Sequence, residues 1–293
     1  MRNYIITTDS NSDLPQEFIE KFNTPIIPQY YSFGDTVYGD ELHMPTTEFY
    51  ERMKNGELPQ SQANNPAVIE DKFRAILDQG NDIIHIAFSS ALSGSYNNVC
   101  MVARELEEDY PDAKITIIDS LNVSLSESIM VIRANELKAS GASYEEVVSA
   151  VENMKNHINV QITVNDLFHL QRGGRVSKTT AVVGSALNMK PFLTITDAGT
   201  LLSDGTARGR KKSIKTLVER MKSTLDENTD YSLPVGVIHG NCLEDAETVA
   251  NLIKAETKFT DVIINDISPS IGTHAGPGAL GITYYGQDKP KAK

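Results

Sequence analysis

Tryptophan is absent from this 293-residue chain, cysteine occurs twice and histidine six times. Cys100 and Cys242 are far apart and lie outside any C-x-x-C pair, so a disulfide-stapled domain and a dithiol redox centre are both excluded. Two free thiols in a reducing cytoplasm are expected. No H-E-x-x-H, G-x-S-x-G, P-loop or zinc spacing occurs, and neither a metal nor a cofactor is expected. Long apolar runs are missing as well. Nothing approaches the roughly 20 residues of a membrane-spanning helix, and the apolar part of Met1-Arg2-Asn3-Tyr4-Ile5-Ile6 is too short for a signal sequence. Positive charge is scarce, with 27 Lys and Arg against 39 Asp and Glu and a net charge of −12. Such a surface repels phosphate backbones and anionic headgroups, so neither nucleic-acid binding nor stable membrane insertion is expected. No feature signals an oligomer, and a monomer is the default.

What is present is ordinary globular material, 40% hydrophobic and 23% charged, in a length that suggests two domains at roughly 100–200 residues each. Strand-like and helix-like segments alternate, as in α/β folds. Strands are expected at 4–8, 82–88 and 114–119, with a β-rich stretch at 25–33. Helices are expected at 13–22, 46–54, 66–79, 93–108, 124–139 and 143–156, the first with Gln16 placed for a capping-box contact. Beyond a strand at 160–164 the character changes. A helix at 179–188 precedes a hairpin of 191–196 and 201–208 around Asp197-Ala198-Gly199. Helices at 211–226 and 243–256 then alternate with strands at 234–239, 261–267 and 282–285. The fold class is therefore two α/β domains. Residues 1–158 form a mostly parallel, Rossmann-like sheet, 159–288 form a mixed α+β sheet, and 289–293 form a disordered tail. A ligand is expected in the cleft between the domains.

Three motifs fail on context. Gly276-Pro277-Gly278-Ala279-Leu280-Gly281 fits G-x-G-x-x-G, but too few residues follow for the helix and acidic residue of a dinucleotide site. The run Asp9-Ser10-Asn11-Ser12-Asp13 imitates a calcium loop, but Leu14 stands where the turn needs glycine and Pro15 follows. Arg208-Gly209-Arg210-Lys211-Lys212 resembles a nucleic-acid patch in a chain otherwise acidic, which favours a local anion site or a partner contact over it. A solvated helix end is as good a reading.

The stretch Ser89-Ser90-Ala91-Leu92-Ser93-Gly94-Ser95-Tyr96 follows a strand and opens a helix. It sets hydroxyls and free backbone N–H groups at the C-terminal edge of a parallel sheet, where an anion is favoured. Helix capping would need one serine rather than four. Ser61 lies in a polar loop that by itself says little. Ile271-Gly272-Thr273-His274-Ala275-Gly276-Pro277-Gly278 implies a close approach of backbone to something, with His274 beside it.

Together these segments resemble the DegV family, including the fatty-acid-binding subunits of bacterial fatty acid kinase. The resemblance runs from Thr8-Asp9-Ser10-Asn11-Ser12-Asp13-Leu14-Pro15 through the 89–96 stretch and Leu167-Phe168-His169-Leu170-Gln171-Arg172-Gly173-Gly174-Arg175-Val176-Ser177. It continues in Lys190-Pro191-Phe192-Leu193, Ala207 to Lys212 and Ile271 to Gly278. It implies a cytoplasmic carrier that is not itself an enzyme. A long-chain fatty acid would lie between the domains, with its carboxylate on Ser61, Ser93 and His274 and with Gly94 and Thr273 supporting the anion site. It also implies a separate kinase subunit facing Arg172, Arg175, Arg208 and Arg210. Where the family usually has threonine followed by Ser-Gln-Pro-Ser, this chain reads Ser61-Gln62-Ala63-Asn64-Asn65. Phe168, Met189 and Phe192 are candidate wall residues, with core packing as the competing role. Burying an acyl chain of about 16 carbons contributes roughly 10 kcal/mol, at about 0.8 per methylene before losses. The rival readings are a Ser/His-dependent hydrolase or acyltransferase built on Ser93 and His274, and a small-anion-sensing regulatory module.

Overall fold

The computed structural model describes residues 2–177 and 188–292, so the helix expected at 179–188 lies outside the described residues apart from Asn188. In chain order the first half comprises β1 (Tyr4–Asp9), α1 (Gln16–Phe22), β2 (Ile26–Ile27), β3 (Tyr30–Phe33), β4 (Thr36–Tyr38), α2 (Thr46–Lys54) and β5 (Gln60–Gln62). It continues with α3 (Pro66–Leu77), β6 (Asp82–Ala87), α4 (Ser95–Asp109), β7 (Ile115–Asp119), α5 (Leu125–Ala139) and α6 (Tyr144–Met154). The second half comprises β8 (Ile158–Thr163), α7 (Phe168–Arg172), β9 (Met189–Ile195), β10 (Leu201–Arg208) and α8 (Arg210–Lys222). After these come β11 (Val235–His239), α9 (Leu243–Glu256), β12 (Val262–Asp266), α10 (Pro269–Ala275) and β13 (Leu280–Tyr285).

Three sheets result. Strands β2-β1-β6-β7 form a parallel sheet in that order, and β10-β9-β8-β13-β11-β12 form a mixed sheet that starts at Ile158. The fold is thus α/β with one parallel and one mixed sheet. A small antiparallel sheet, β4-β3-β5, sits beside them. Strand β6 is buried at all six positions, as a central parallel strand covered on both faces must be. Helix α6 begins with a capping box in which Ser143 and Glu146 satisfy each other's backbone N–H groups.

Helix α5 joins the two large sheets. It contacts β1 and β6 of one and β8, β11 and β13 of the other. A helix pressed from both sides keeps little solvated surface, and ten of its fifteen residues are buried.

The structure departs from several sequence expectations. The first helix starts at Gln16, not at 13. Pro15 precedes it, Asp13 adopts a left-handed conformation (φ 53°), and Gln16 bonds Glu20 rather than forming a capping box. The expected disordered tail is seated from 289 to 292. The Lys289 amide donates to the Asn156 carbonyl (2.9 Å) and its ammonium to the Leu121 carbonyl (2.7 Å). The Asp197 amide donates to the Pro290 carbonyl, and Lys291 pairs with the Asp197 carboxylate. Strands β4 and β5 and helices α7 and α10 were not anticipated. Among the described residues no helix is long and apolar enough to cross a membrane.

Candidate functional site

Strand direction determines where a pocket forms. In the parallel sheet the chain leaves β1 toward one edge and β6 toward the other, so the loops after these strands diverge and open a crevice at their C-terminal ends. Asn11 after β1, Gln29 after β2, Phe88, Leu92, Ser93 and Gly94 after β6, and Val123 after β7 line a cavity there. The mixed sheet closes it with Ile162, Leu193 and Leu201, Val164 follows just after β8, and α7 and α10 add Leu170, Ile271, His274 and Ala275. The cavity measures about 170 Å³. Its wall is mostly apolar, as a site for a hydrocarbon requires.

Polar groups gather at one part of this wall. Strand β5 pairs antiparallel with β3, which places Ser61 opposite Tyr31. From there the Ser61 hydroxyl lies 2.7 Å from Nε2 of His274, across the interface between the two halves. His274 reaches it because Gly173, at the end of α7, has no side chain. A Cβ at that position would stand 2.0 Å from His274 Nδ1. Burial, then the nearby Arg175, Arg172 and His169, push the His274 pKa down to about 4, so the imidazole is neutral at pH 7. Its Nδ1 is buried and has no hydrogen-bond partner among the described residues.

The helix α4 begins beside this pair. The Ser93 hydroxyl accepts from the Ser95 amide (3.2 Å) and donates to the Ser95 hydroxyl (2.9 Å), which donates to Oε1 of Gln29 (2.7 Å). A Cβ on Gly94 would meet nothing within 4 Å, so the space over the helix end is open. Arg175 also lines the cavity and holds the 89–94 loop with two bonds to the Leu92 carbonyl (3.1 and 3.0 Å). Arg172 bonds the carbonyls of Pro59 (2.8 Å) and Thr273 (3.3 Å). Burial lowers the pKa of both guanidiniums.

Ser61, Ser93, Gly94, His274 and Arg175 are therefore brought to one cavity, with Arg172 beside it. Thr273 is not: its hydroxyl donates to the Pro269 carbonyl within α10. Arg208 is exposed on β10, and Arg210 is spent on Asp245, the Gly278 carbonyl and Cys242. Neither lines the cavity. Phe168 is half exposed on α7, and Phe192 packs in the core under α8 and α9. On β9 its neighbour Leu193 faces the cavity instead, because side chains alternate along a strand. Met189 is not a wall residue either. The glycines of the 271–278 stretch serve protein contacts: Cβ atoms at Gly272 and Gly276 would strike Tyr50 and His169. Sequence reasoning missed Gln29, Asn11 and Ser95. The Leu-Ser-Gly-Ser run could have pointed to Ser95, whereas nothing local marks Gln29.

The DegV family model matches residues 3–287 of this chain. The chain belongs to the DegV family. It is 35% identical over 291 residues to a DegV domain-containing protein of Clostridium perfringens, covering 99% of each. A DegV family protein from Thermus thermophilus, described as fatty-acid binding, superposes with a TM-score of 0.86 at 25% identity, over 98% of this chain and all of that one. DegV from Bacillus subtilis, described as a fatty acid binding protein, superposes at 0.82 with 28% identity over 98% and 100%.

Proposed function

We propose that this DegV chain binds one long-chain fatty acid between its halves, with the carboxylate held by Ser61 and His274 beside the helix start at Ser93, and presents it to a separate kinase. The Ser61–His274 contact carries the reading: neutral hydrogen-bonding groups from opposite halves converge at the polar end of an apolar cavity. A buried carboxylate left unpaired costs several kcal/mol, so such groups are needed for an acid but not for a plain hydrocarbon. The fatty-acid-binding descriptions of the Thermus thermophilus and Bacillus subtilis relatives support the same ligand class. Arg175 at the cavity and Arg172 beside it leave positive charge where an acyl phosphate would form. A hydrolase reading is weaker. The serine beside His274 is Ser61, the imidazole is too weak a base at pH 7, and among the described residues no acid orients its Nδ1.

Native mass spectrometry of the purified protein tests the ligand. A mass excess matching a C14–C18 acid, or uptake of added oleate, is the expected result, and refusal of both ends the proposal. Ser61→Ala and His274→Ala should each weaken oleate binding by roughly ten- to a hundredfold, the size of one charge-assisted hydrogen bond. Acyl phosphate formation from ATP and a bacterial fatty acid kinase subunit, only when this chain is present, tests the presentation step.

A further inference from the structure

The proton count at the head of the cavity leaves a gap. The Ser93 hydroxyl has one proton and gives it to Ser95. The Ser95 hydroxyl accepts that bond and a longer one from the Asn64 amide (3.4 Å), and its own proton goes to Gln29 Oε1. Each link is used, so Ser93 offers an incoming ligand lone pairs rather than a proton. An anion needs the opposite.

Gln29 ends this chain. Its side chain is buried (3% exposed), its backbone amide is fixed by the Ser10 hydroxyl (2.9 Å), and it lines the same cavity as Ser61, Ser93 and His274. Because Oε1 takes the Ser95 proton, the other arm of the amide is Nε2, a buried two-proton donor with no partner among the described residues. An unpaired buried N–H group costs about 1–3 kcal/mol, so an acceptor for this group is favoured.

We infer that Gln29 is a ligand-binding residue whose Nε2 donates to the carboxylate of the bound acid, and that Ser93 and Ser95 act as positioning residues that turn the amide toward it. The inference rests on the fatty-acid reading above. Gln29 then favours an acid over a lipid with a neutral head, because its amide N–H bonds an anionic acceptor about twice as strongly as a neutral hydroxyl.

The test compares oleate with oleyl alcohol on the full-length protein. Gln29→Met keeps the length of the side chain and removes both amide groups. It should weaken oleate by roughly ten- to a hundredfold, the value of a hydrogen bond to a charged group, and oleyl alcohol by less than about tenfold. Gln29→Glu still accepts the Ser95 proton but turns a carboxylate oxygen toward the ligand. It should weaken oleate further, with recovery as pH falls. Ser95→Ala frees the amide and should give a smaller loss confined to oleate. Equal losses for both ligands in Gln29→Met and Gln29→Glu would show a structural role and overturn the assignment, as would oleate binding unchanged from wild type. If wild type takes up neither lipid, the fatty-acid reading itself fails and this assignment goes with it.

Discussion

At the scale of single residues, the site depends on a side chain that is missing. Gly173 has an ordinary helical φ of −76°, so its role is space rather than backbone freedom. The His274 ring that occupies this space is tethered to Ser61 and cannot simply swing aside. Gly173→Ala should therefore move the imidazole and weaken oleate binding to about the level of His274→Ala. In a double-mutant cycle the two changes should add little to each other, because both remove one interaction. Full additivity in a binding titration would show that Gly173 acts elsewhere. Ser93 and His274 were legible in the sequence because serines and glycines crowd around them. Gln29 was not, because its role comes from a contact with Ser95, 66 positions away.

At the scale of elements, α5 shows what periodicity reveals and what it hides. Its helical character was readable, but not its burial between two sheets, which depends on how the halves meet. Burial there has a consequence for charge. Glu127 Oε1 lies 2.7 Å from the Thr8 hydroxyl, which also bonds the Ile86 carbonyl, while Glu127 Oε2 has no partner among the described residues. Burial, helped by Asp9 and Asp13, pushes its pKa well above the ordinary value. Burial also raises Asp9 and Asp13 to about 7. For acids held neutral by the fold, stability is full below the unfolded pKa and is lost as pH rises toward the folded one. Each pH unit in that window costs about 1.4 kcal/mol per group. Contributions from these carboxylates should thus lower the thermal midpoint between about pH 4 and 7. Glu127→Gln, neutral at every pH, should show a flatter profile and a higher midpoint than wild type at pH 8. A steeper profile in calorimetry would contradict this account. Short elements were the hardest to read. The polar β5 has no alternation to detect, and Gly272 within α10, with Gly276 and Gly278 just past it, imitates a loop although the α10 backbone is helical.

For the whole molecule, the two sheets were expected from the change of pattern after 158, but their clasp was not. A lysine-rich end with no apolar period reads as solvated, yet Lys289 is buried and bonded to Leu121 in the first half while Pro290 meets Asp197 in the second. The turn at Asp197 is itself docked on the first half, where Ser89 donates to the Gly199 carbonyl (2.9 Å). Removing residues 289–293 should lower stability by roughly 1–3 kcal/mol, which for a chain of this size is a fall of about 2–8 °C in the thermal midpoint. The same truncation should speed exchange of bound oleate, measured by displacement of a fluorescent fatty acid. Unchanged exchange with a lowered midpoint would confine the strap to stability.

Ser61 belongs to one half of the protein and His274 to the other. If the proposed acid lies between them, prising the halves apart by about an ångström would undo the grip on its head group and unroof its hydrocarbon tail in the same movement. An occupant works like mortar between two bricks: a loaded molecule should resist heat in proportion to the logarithm of free lipid, and whatever spreads the bricks discharges the cargo.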